Sequence, residues 1–158
     1  MIVKINSVYD FYSSIVLLYN YDYIYRFLVG KYKYFIQLYI ILLLERFMKY
    51  IFSFPSYDIL KRPDGAFNCG LTNLGGDVSG QCGFPSGHVI TTSYYFYLLF
   101  LENRFKSKKY KKFNYLFLIL IQIPIFLVSY GRLMKKCHNL FQVSGGYIFG
   151  MFLAFLFY

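Results

Sequence analysis

The sequence predicts an all-α protein, a multi-pass transmembrane bundle of about five helices. Of its 158 residues, 58% are hydrophobic and 24% are aromatic, which is too apolar for an ordinary water-soluble domain. The apolar residues gather into runs close to the roughly 20 residues that a helix needs to cross a bilayer, and polar loops separate these runs. The length suits a single membrane-embedded domain over residues 1–158.

The charge distribution favours a lipid bilayer over a nucleic acid as the partner. The formal net charge is +10, but six of the 17 basic residues occupy one short loop: Arg104, Lys106, Lys108, Lys109, Lys111 and Lys112. A nucleic-acid-binding surface would also need aromatic platforms or an element that enters a groove, so no nucleic-acid partner is expected. Cytoplasmic loops of membrane proteins are rich in lysine and arginine, so this loop is predicted to be cytoplasmic.

The first two apolar runs differ in regularity. We expect a tilted or interfacial helix over about 8–29, because four polar residues interrupt this run: Asp10, Asn20, Asp22 and Arg26. The second run, over about 34–53, is more uniform and contains Glu45 and Arg46 side by side. Charges within such a run usually face a partner or the bundle interior, so these two residues are assigned to packing.

A long polar loop precedes the third helix. The loop over about 54–84 is rich in glycine and too long for a simple connection, so it is the first place to look for function. A helix is predicted to begin after Gly87 and to run to about Glu102. Pro85 and Ser86 suit its first turn, because proline and serine are favoured at helix starts.

Two more helices complete the predicted bundle. The run over about 113–130 includes Pro124, which is expected to kink it. A polar segment over 129–139 separates it from the last run, over about 140–158. Small residues that allow close helix packing recur in this last run, at Gly145, Gly146, Gly150 and Ala154.

The order of the loops predicts which of them share a membrane face. If the basic loop over 103–112 is cytoplasmic, alternation of the helices puts loops 54–84 and 130–138 together on the opposite side. The two histidines of the chain, His88 and His138, border these two loops. Both are therefore expected at the non-cytoplasmic face, which is lumenal or exoplasmic.

The three cysteines are too few for a disulfide scaffold and lack the paired spacing of a zinc site. Cys69 and Cys82 share one loop, which would meet oxidising conditions on a lumenal or exterior face. A disulfide between Cys69 and Cys82 is therefore our hypothesis, with Cys137 left over.

The Pro85-Ser86-Gly87-His88 segment has the residue types of a phosphate-binding turn. Glycine permits close approach of the backbone, serine supplies a hydroxyl, and a helix start directs unpaired amides at an anion. The imidazole of His88 stands at the edge of this turn. The structural alternative is a capping turn with a packed histidine.

Arg132 and His138 strengthen the phosphate interpretation. A guanidinium binds phosphoryl oxygens through two parallel hydrogen bonds, and a neutral imidazole can attack phosphorus or transfer a proton. Lone arginine and histidine residues at a membrane boundary are, in the alternative interpretation, interfacial residues that extend toward water.

Taken together, these motifs resemble the three-part signature of the type 2 phosphatidic acid phosphatase superfamily, which includes lipid phosphate phosphatases, polyprenyl diphosphate phosphatases, glucose-6-phosphatase and vanadium haloperoxidases. The signature consists, in order, of Lys61-Arg62-Pro63, Pro85-Ser86-Gly87-His88 and Arg132-x5-His138. The resemblance implies a haloperoxidase-like helical core over about 34–158.

The resemblance also implies a metal-independent hydrolase without a cofactor. His138 would be the nucleophile that forms a phosphohistidine, and His88 would protonate the leaving group. The phosphoryl oxygens would be bound by Lys61, Arg62, Ser86, Gly87 and Arg132. The implied substrate is a lipid phosphomonoester or diphosphate, with a sugar phosphate or a catalytically inactive lipid-binding homologue as the alternatives.

Two positions depart from the usual pattern. The first motif usually has a lysine seven residues before its arginine, and here that position is Pro55, so the neighbouring Lys61 is the substitute. The third motif often has an aspartate four residues after its histidine, and here it is Gln142. Its carbonyl oxygen can accept a hydrogen bond from the imidazole, as in the similar His-x3-Gln-Val form of the dolichyl diphosphatase and glucose-6-phosphatase branches, so Gln142 is counted with the catalytic residues.

Overall fold

The computed structural model describes residues 8–54, 57–70, 74–106 and 111–158. These residues form six α-helices and one short 3₁₀ turn. The helices are α1 (Val8–Leu28), α2 (Tyr32–Ser53), α3 (Gly87–Lys106), α4 (Lys111–Leu120), α5 (Gln122–Met134) and α6 (Leu140–Phe157), and the 3₁₀ turn is Asp58–Leu60. Within the described ranges β-structure is limited to two isolated bridges, so the predicted all-α class is confirmed.

The predicted fourth helix is the main difference in helix number. It divides at Ile121 into α4 and α5, and α5 continues to Met134 through a segment that was predicted to be a polar loop. Pro124 has no N–H group, so the carbonyl of Leu120 loses its helical donor at this division. Sequence reasoning ends the helix near residue 130 because polar residues such as Arg132 follow. The structure continues the helix because Arg132 is fully buried rather than exposed in a loop.

The third helix begins at Gly87, one residue earlier than predicted, and Pro85 and Ser86 precede it rather than form its first turn. At its other end α3 continues to Lys106, and α4 begins at Lys111, so the helices take up part of the predicted basic loop. Lys108 and Lys109 lie outside the described residues.

The first helix is a full member of the bundle. Val16, Tyr19 and Tyr23 are buried, and the hydroxyl of Tyr19 lies 2.8 Å from that of Thr91 on α3. The polar residues that interrupt this helix have partners within it or in other segments. Asp10 lies 2.5 Å from the ammonium group of Lys135 just after α5, and the Arg26 guanidinium pairs with Asp22 and Glu102.

The last helix packs closely against α3, as the small residues predicted. A Cβ atom added at Gly146 would lie 2.8 Å from the carbonyl oxygen of Ser86, and one added at Gly150 would collide with the carbonyl oxygen of Ile90. Ala154 is fully buried on the same side of α6. Only small side chains let the two backbones approach to this distance.

The two loops that border the histidines meet at one end of the bundle. A disulfide joins Cys69 in the long loop to Cys137 after α5, with 5.6 Å between their Cα atoms. The hypothesis of a Cys69–Cys82 disulfide is therefore wrong, and Cys82 is free. Sequence proximity favoured the wrong pair, because the fold brings the 130–138 segment closer to Cys69 than its neighbour in the loop.

Two of the described helical segments are long and apolar enough to cross a bilayer, Tyr115–Met134 and Leu140–Phe157. They indicate association with a membrane. His138 lies in the short connection between them.

Candidate active site

The two histidines line one cavity of about 360 Å³ at the end of the bundle where the loops meet. Arg62 from the long loop and Gly87 at the start of α3 share the polar part of its wall with His88 and His138. The remaining wall is mixed: it includes the polar residues Asn20, Glu45, Lys49 and Thr91 and the apolar residues Val16, Leu38, Leu42, Leu74 and Val78. The cavity therefore combines a cationic, histidine-bearing end with an apolar compartment.

One nitrogen of His138 is held by Gln142, one turn along α6. The Nδ1 atom of His138 lies 3.0 Å from Oε1 of Gln142. The Nε2 atom, on the other side of the ring, lies 3.5 Å from a guanidinium nitrogen of Arg62. His138 itself is nearly fully buried.

The amide of Gln142 determines the tautomer of His138. Its Nε2 atom donates to the backbone carbonyls of Lys61 at 2.7 Å and Ile59 at 3.2 Å. Carbonyl oxygens only accept, so the amide nitrogen must face them and Oε1 must face the imidazole. The proton of the ring is then on Nδ1, and the lone pair of Nε2 is directed away from Gln142.

Burial lowers the pKa of His138 well below the usual histidine value, and the charges of Arg132, Arg62 and Lys49 lower it further. All of these effects disfavour the imidazolium form. The ring is therefore neutral at physiological pH, which is the state in which its nitrogen is nucleophilic.

The two predicted arginines are each anchored by a backbone carbonyl next to the disulfide. Arg62 donates to the carbonyl of Cys137 at 3.0 Å, and Arg132 donates to the carbonyl of Cys69 at 2.6 Å. The remaining side-chain nitrogens of Arg132, Nε and Nη1, are buried and have no hydrogen-bond partner within the part of the chain that the structure describes. A buried guanidinium with two unused donor groups is suited to an anion.

The second motif adds two more polar atoms without partners. The Oγ atom of Ser86 and the Nε2 atom of His88 are both buried and make no hydrogen bond among the described residues. The backbone N–H of Ser86 donates to the carbonyl of Gln142 at 3.1 Å, which ties the start of α3 to α6. Polar atoms in this state are typical of a site that binds a polar ligand.

Comparison with family models gives one match, which covers residues 32–158 and is described as the PAP2 superfamily. The chain belongs to the PAP2 superfamily. This family indicates phosphatase activity on phosphate esters. Comparisons with the curated proteins and with the solved structures find no match.

The PAP2 match begins at the first residue of α2, so α1 lies outside it. Even so, α1 contributes Val16 and Asn20 to the cavity wall. The site of this PAP2 protein thus includes a helix beyond the matched region.

The structure does not bring the side chain of Lys61 together with the other PAP2 motif residues. Its ammonium group lies 2.9 Å from a carboxylate oxygen of Asp58, and the pair is exposed to solvent. Only the backbone carbonyl of Lys61 reaches the site, through Gln142. Pro55, at the usual position of the PAP2 lysine, lies outside the described residues.

Sequence reasoning missed two residues of the cavity wall, Glu45 and Lys49 on α2. Glu45 was assigned to packing, and Lys49 was not singled out. A Cβ atom at Gly87 would collide with the carboxylate of Glu45, so this side chain lies directly against the second PAP2 motif. The usable signal was the helical spacing of Leu38, Leu42, Glu45 and Lys49, which puts them on one side of α2.

Proposed function

We propose that this PAP2 protein is a membrane-bound phosphatase that hydrolyses a lipid phosphomonoester or diphosphate through a phosphohistidine on His138. The observation that carries the proposal is the orientation of that imidazole. Gln142 holds Nδ1–H, so the lone pair is on Nε2, where it accepts from the guanidinium of Arg62 at 3.5 Å until a phosphoryl group takes over that donor. A neutral nucleophile next to a phosphate-binding cation is the arrangement that phosphoryl transfer needs.

In the first step, Nε2 of His138 attacks phosphorus and the bond from phosphorus to the leaving oxygen breaks. His88 gives its proton to that oxygen, so that an alcohol or a phosphate leaves. Negative charge of the bound ester favours the protonated form of the His88 imidazole, because an opposite charge nearby stabilises a cation. In the second step, water attacks phosphorus, its proton passes to His88, and the N–P bond breaks to release phosphate.

The charge on the transferred phosphoryl group is the main electrostatic demand of this reaction. Arg62 and Arg132 supply positive charge, and the unpartnered nitrogens of Arg132 are available to phosphoryl oxygens. Ser86 and the amide of Gly87 add neutral donors at the start of α3, where the helix dipole favours an anion. Gln142 stabilises the phosphorylated ring by accepting from Nδ1–H.

The apolar compartment of the cavity supports a lipid substrate. Val16, Leu38 and Leu42 continue the wall away from the histidines, so a hydrocarbon chain on the leaving group would contact apolar side chains. A free sugar phosphate has no apolar group that would contact these side chains. This contrast favours the lipid phosphate over the sugar phosphate alternative.

The proposal includes a multi-pass topology with the site at the non-cytoplasmic face. Large apolar side chains are exposed on the outer sides of several helices, including Ile36, Tyr39 and Phe47 on α2, Ile123 and Phe126 on α5, and Ile148 and Phe152 on α6. Exposed apolar surface of this extent is typical of contact with lipid. The basic residues between α3 and α4 support a cytoplasmic position for the opposite end of the bundle.

The test is a phosphate-release assay with the purified protein in lipid nanodiscs, on phosphatidic acid, a polyprenyl diphosphate and glucose 6-phosphate. We expect release from a lipid substrate, loss of release in His138→Ala and His88→Ala, and acid-labile labelling of His138 that His138→Ala removes. Unchanged melting temperatures would show that both variants fold. Release from glucose 6-phosphate alone would favour the sugar phosphate alternative, and no release from any substrate would favour the inactive homologue.

A further inference from the structure

One side of α2 lines the cavity with four residues at helical spacing, and their chemistry changes along the helix. Leu38 and Leu42 lie in the apolar compartment, whereas Glu45 and Lys49 belong to the polar end with the histidines. Their neighbour Arg46 is exposed and is not part of the cavity wall. The helix therefore directs Lys49 at the site, but not Arg46.

The ammonium group of Lys49 is held in place by Glu45. The Nζ atom donates to Oε1 of Glu45 one turn earlier on α2, and both side chains are largely shielded from solvent. An ammonium group has three N–H donors, and this contact uses one of them. Two donors remain for a ligand in the cavity.

The charge of Lys49 reaches the nucleophile. It is among the positive charges that lower the pKa of His138, together with those of Arg132 and Arg62. By contrast, the ammonium group of Lys61 is paired with Asp58 in the exposed part of the loop. Lys49 is therefore a lysine that shares both the cavity and the electrostatic field of His138.

We propose that Lys49 is a phosphate-binding residue of this site and that Glu45 is the residue that positions it. Arg62 lines the cavity, Arg132 is buried and donates to the carbonyl of Cys69 in the cavity wall, and Lys49 adds a third cation on the α2 side. Three cations around the phosphoryl group offset its charge as the leaving oxygen departs. The assignment rests on the proposed phosphatase function and adds a ligand that none of the three sequence motifs contains.

A purely structural role for the pair makes a different prediction. An ion pair between residues four apart on a helix contributes little to stability, and its loss would leave phosphate binding unchanged. The two roles are separated by measuring affinity for inorganic phosphate as well as turnover. Phosphate binding does not depend on the chemical step.

The experiment compares Lys49→Met, Lys49→Arg and the matched control Arg46→Met in the full-length protein in nanodiscs. For Lys49→Met we expect a loss of about 10- to 100-fold in kcat/KM and a similar weakening of inhibition by inorganic phosphate, as for removal of a charge-assisted hydrogen bond. Lys49→Arg should recover most of both values, because it keeps the positive charge. Arg46→Met should leave both values unchanged, since it removes the same charge outside the cavity.

Folding is checked with Glu45→Gln/Lys49→Met, which removes the unpaired carboxylate that the single variant leaves behind. The double variant should melt like the wild type and still bind phosphate weakly. The assignment of Lys49 is overturned if Lys49→Met or the double variant keeps wild-type phosphate inhibition, or if Lys61→Met causes a larger loss than Lys49→Met. If the wild type releases no phosphate from any ester but still binds inorganic phosphate in a Lys49-dependent manner, the phosphatase proposal fails and the Lys49 site stands.

Discussion

Replacing Gln142 with glutamate should destabilise the protein at neutral pH, although a carboxylate is the more usual partner of this histidine in the family. The side chain is fully buried, and its Nε2 atom donates to the carbonyls of Lys61 and Ile59. In Gln142→Glu an oxygen replaces that nitrogen, so the Lys61 carbonyl loses its donor and both carbonyls face a negative charge, whereas the Ile59 carbonyl still accepts from Nδ2 of Asn139 at 2.8 Å. An unsatisfied buried acceptor costs about 1–3 kcal/mol, which is the loss expected from the Lys61 carbonyl, and the negative charge beside the two carbonyls adds to it.

The deficit should shrink as pH falls. Burial beside two carbonyl oxygens raises the pKa of the introduced carboxyl in the folded state above its unfolded value of about 4.3. A group with a raised folded pKa contributes stability below the unfolded pKa and loses that stability as pH rises through the folded pKa. The protonated carboxyl can donate to one carbonyl, so Gln142→Glu should approach the wild type near pH 4.5.

The assay is denaturant unfolding in detergent micelles, followed by circular dichroism. The pH is varied from about 4.5 to about 8, which is roughly the range over which carboxyl and imidazole groups titrate. Gln142→Met is the matched control, because it removes the same donor without adding a titratable group. Its deficit relative to the wild type should not vary with pH. The assignment of the Gln142 amide is refuted if Gln142→Glu is as stable as the wild type at pH 7.5, or if its deficit is the same at every pH.

Two more predictions concern the acid range of activity and the disulfide. Burial and three cations lower the pKa of His138. In a pH–rate profile corrected for ionisation of the substrate, the acid limb of kcat/KM should therefore lie below the ordinary histidine pKa of about 6.5. A limb at or above that value would contradict a neutral nucleophile. Removing the crosslink in Cys69→Ser or Cys137→Ser should cost about 2–4 kcal/mol and reduce activity, because the carbonyls of both residues anchor arginines of the site. Thermal unfolding with and without reductant measures the loss, and Cys82→Ser is the control. Equal melting temperatures of the wild type with and without reductant would count against the crosslink.

The sequence predicts the motifs and most helices because both depend on local patterns. The third helix begins within one residue of its predicted start, and the small residues Gly146 and Gly150 pack against α3 as their spacing indicates. The loops that carry Arg62 and His138 also meet as the alternation of helices predicts. These features follow from residue type and order along the chain.

The features that sequence reasoning missed depend on contacts between distant segments. In the sequence Asp10 only interrupts the apolar pattern of α1, whereas the fold pairs it with Lys135. Cys69 selects Cys137, a residue 68 positions away, because loop closure costs little once the helices are packed. Lys49 belongs to an apolar helix, and only the position of α2 against α3 gives it a role at the site.

The Gln142 amide joins segments that the ribosome makes at different times. The carbonyls that it holds belong to residues 59 and 61, whereas the amide belongs to the first turn of α6 and the imidazole that it orients lies two residues before that helix. The imidazole of His138, our proposed nucleophile, has no fixed tautomer until α6 supplies Gln142. Docking of α6 against the earlier segments therefore fixes the tautomer of His138, and a partly assembled chain would hold Arg62 without an oriented imidazole beside it.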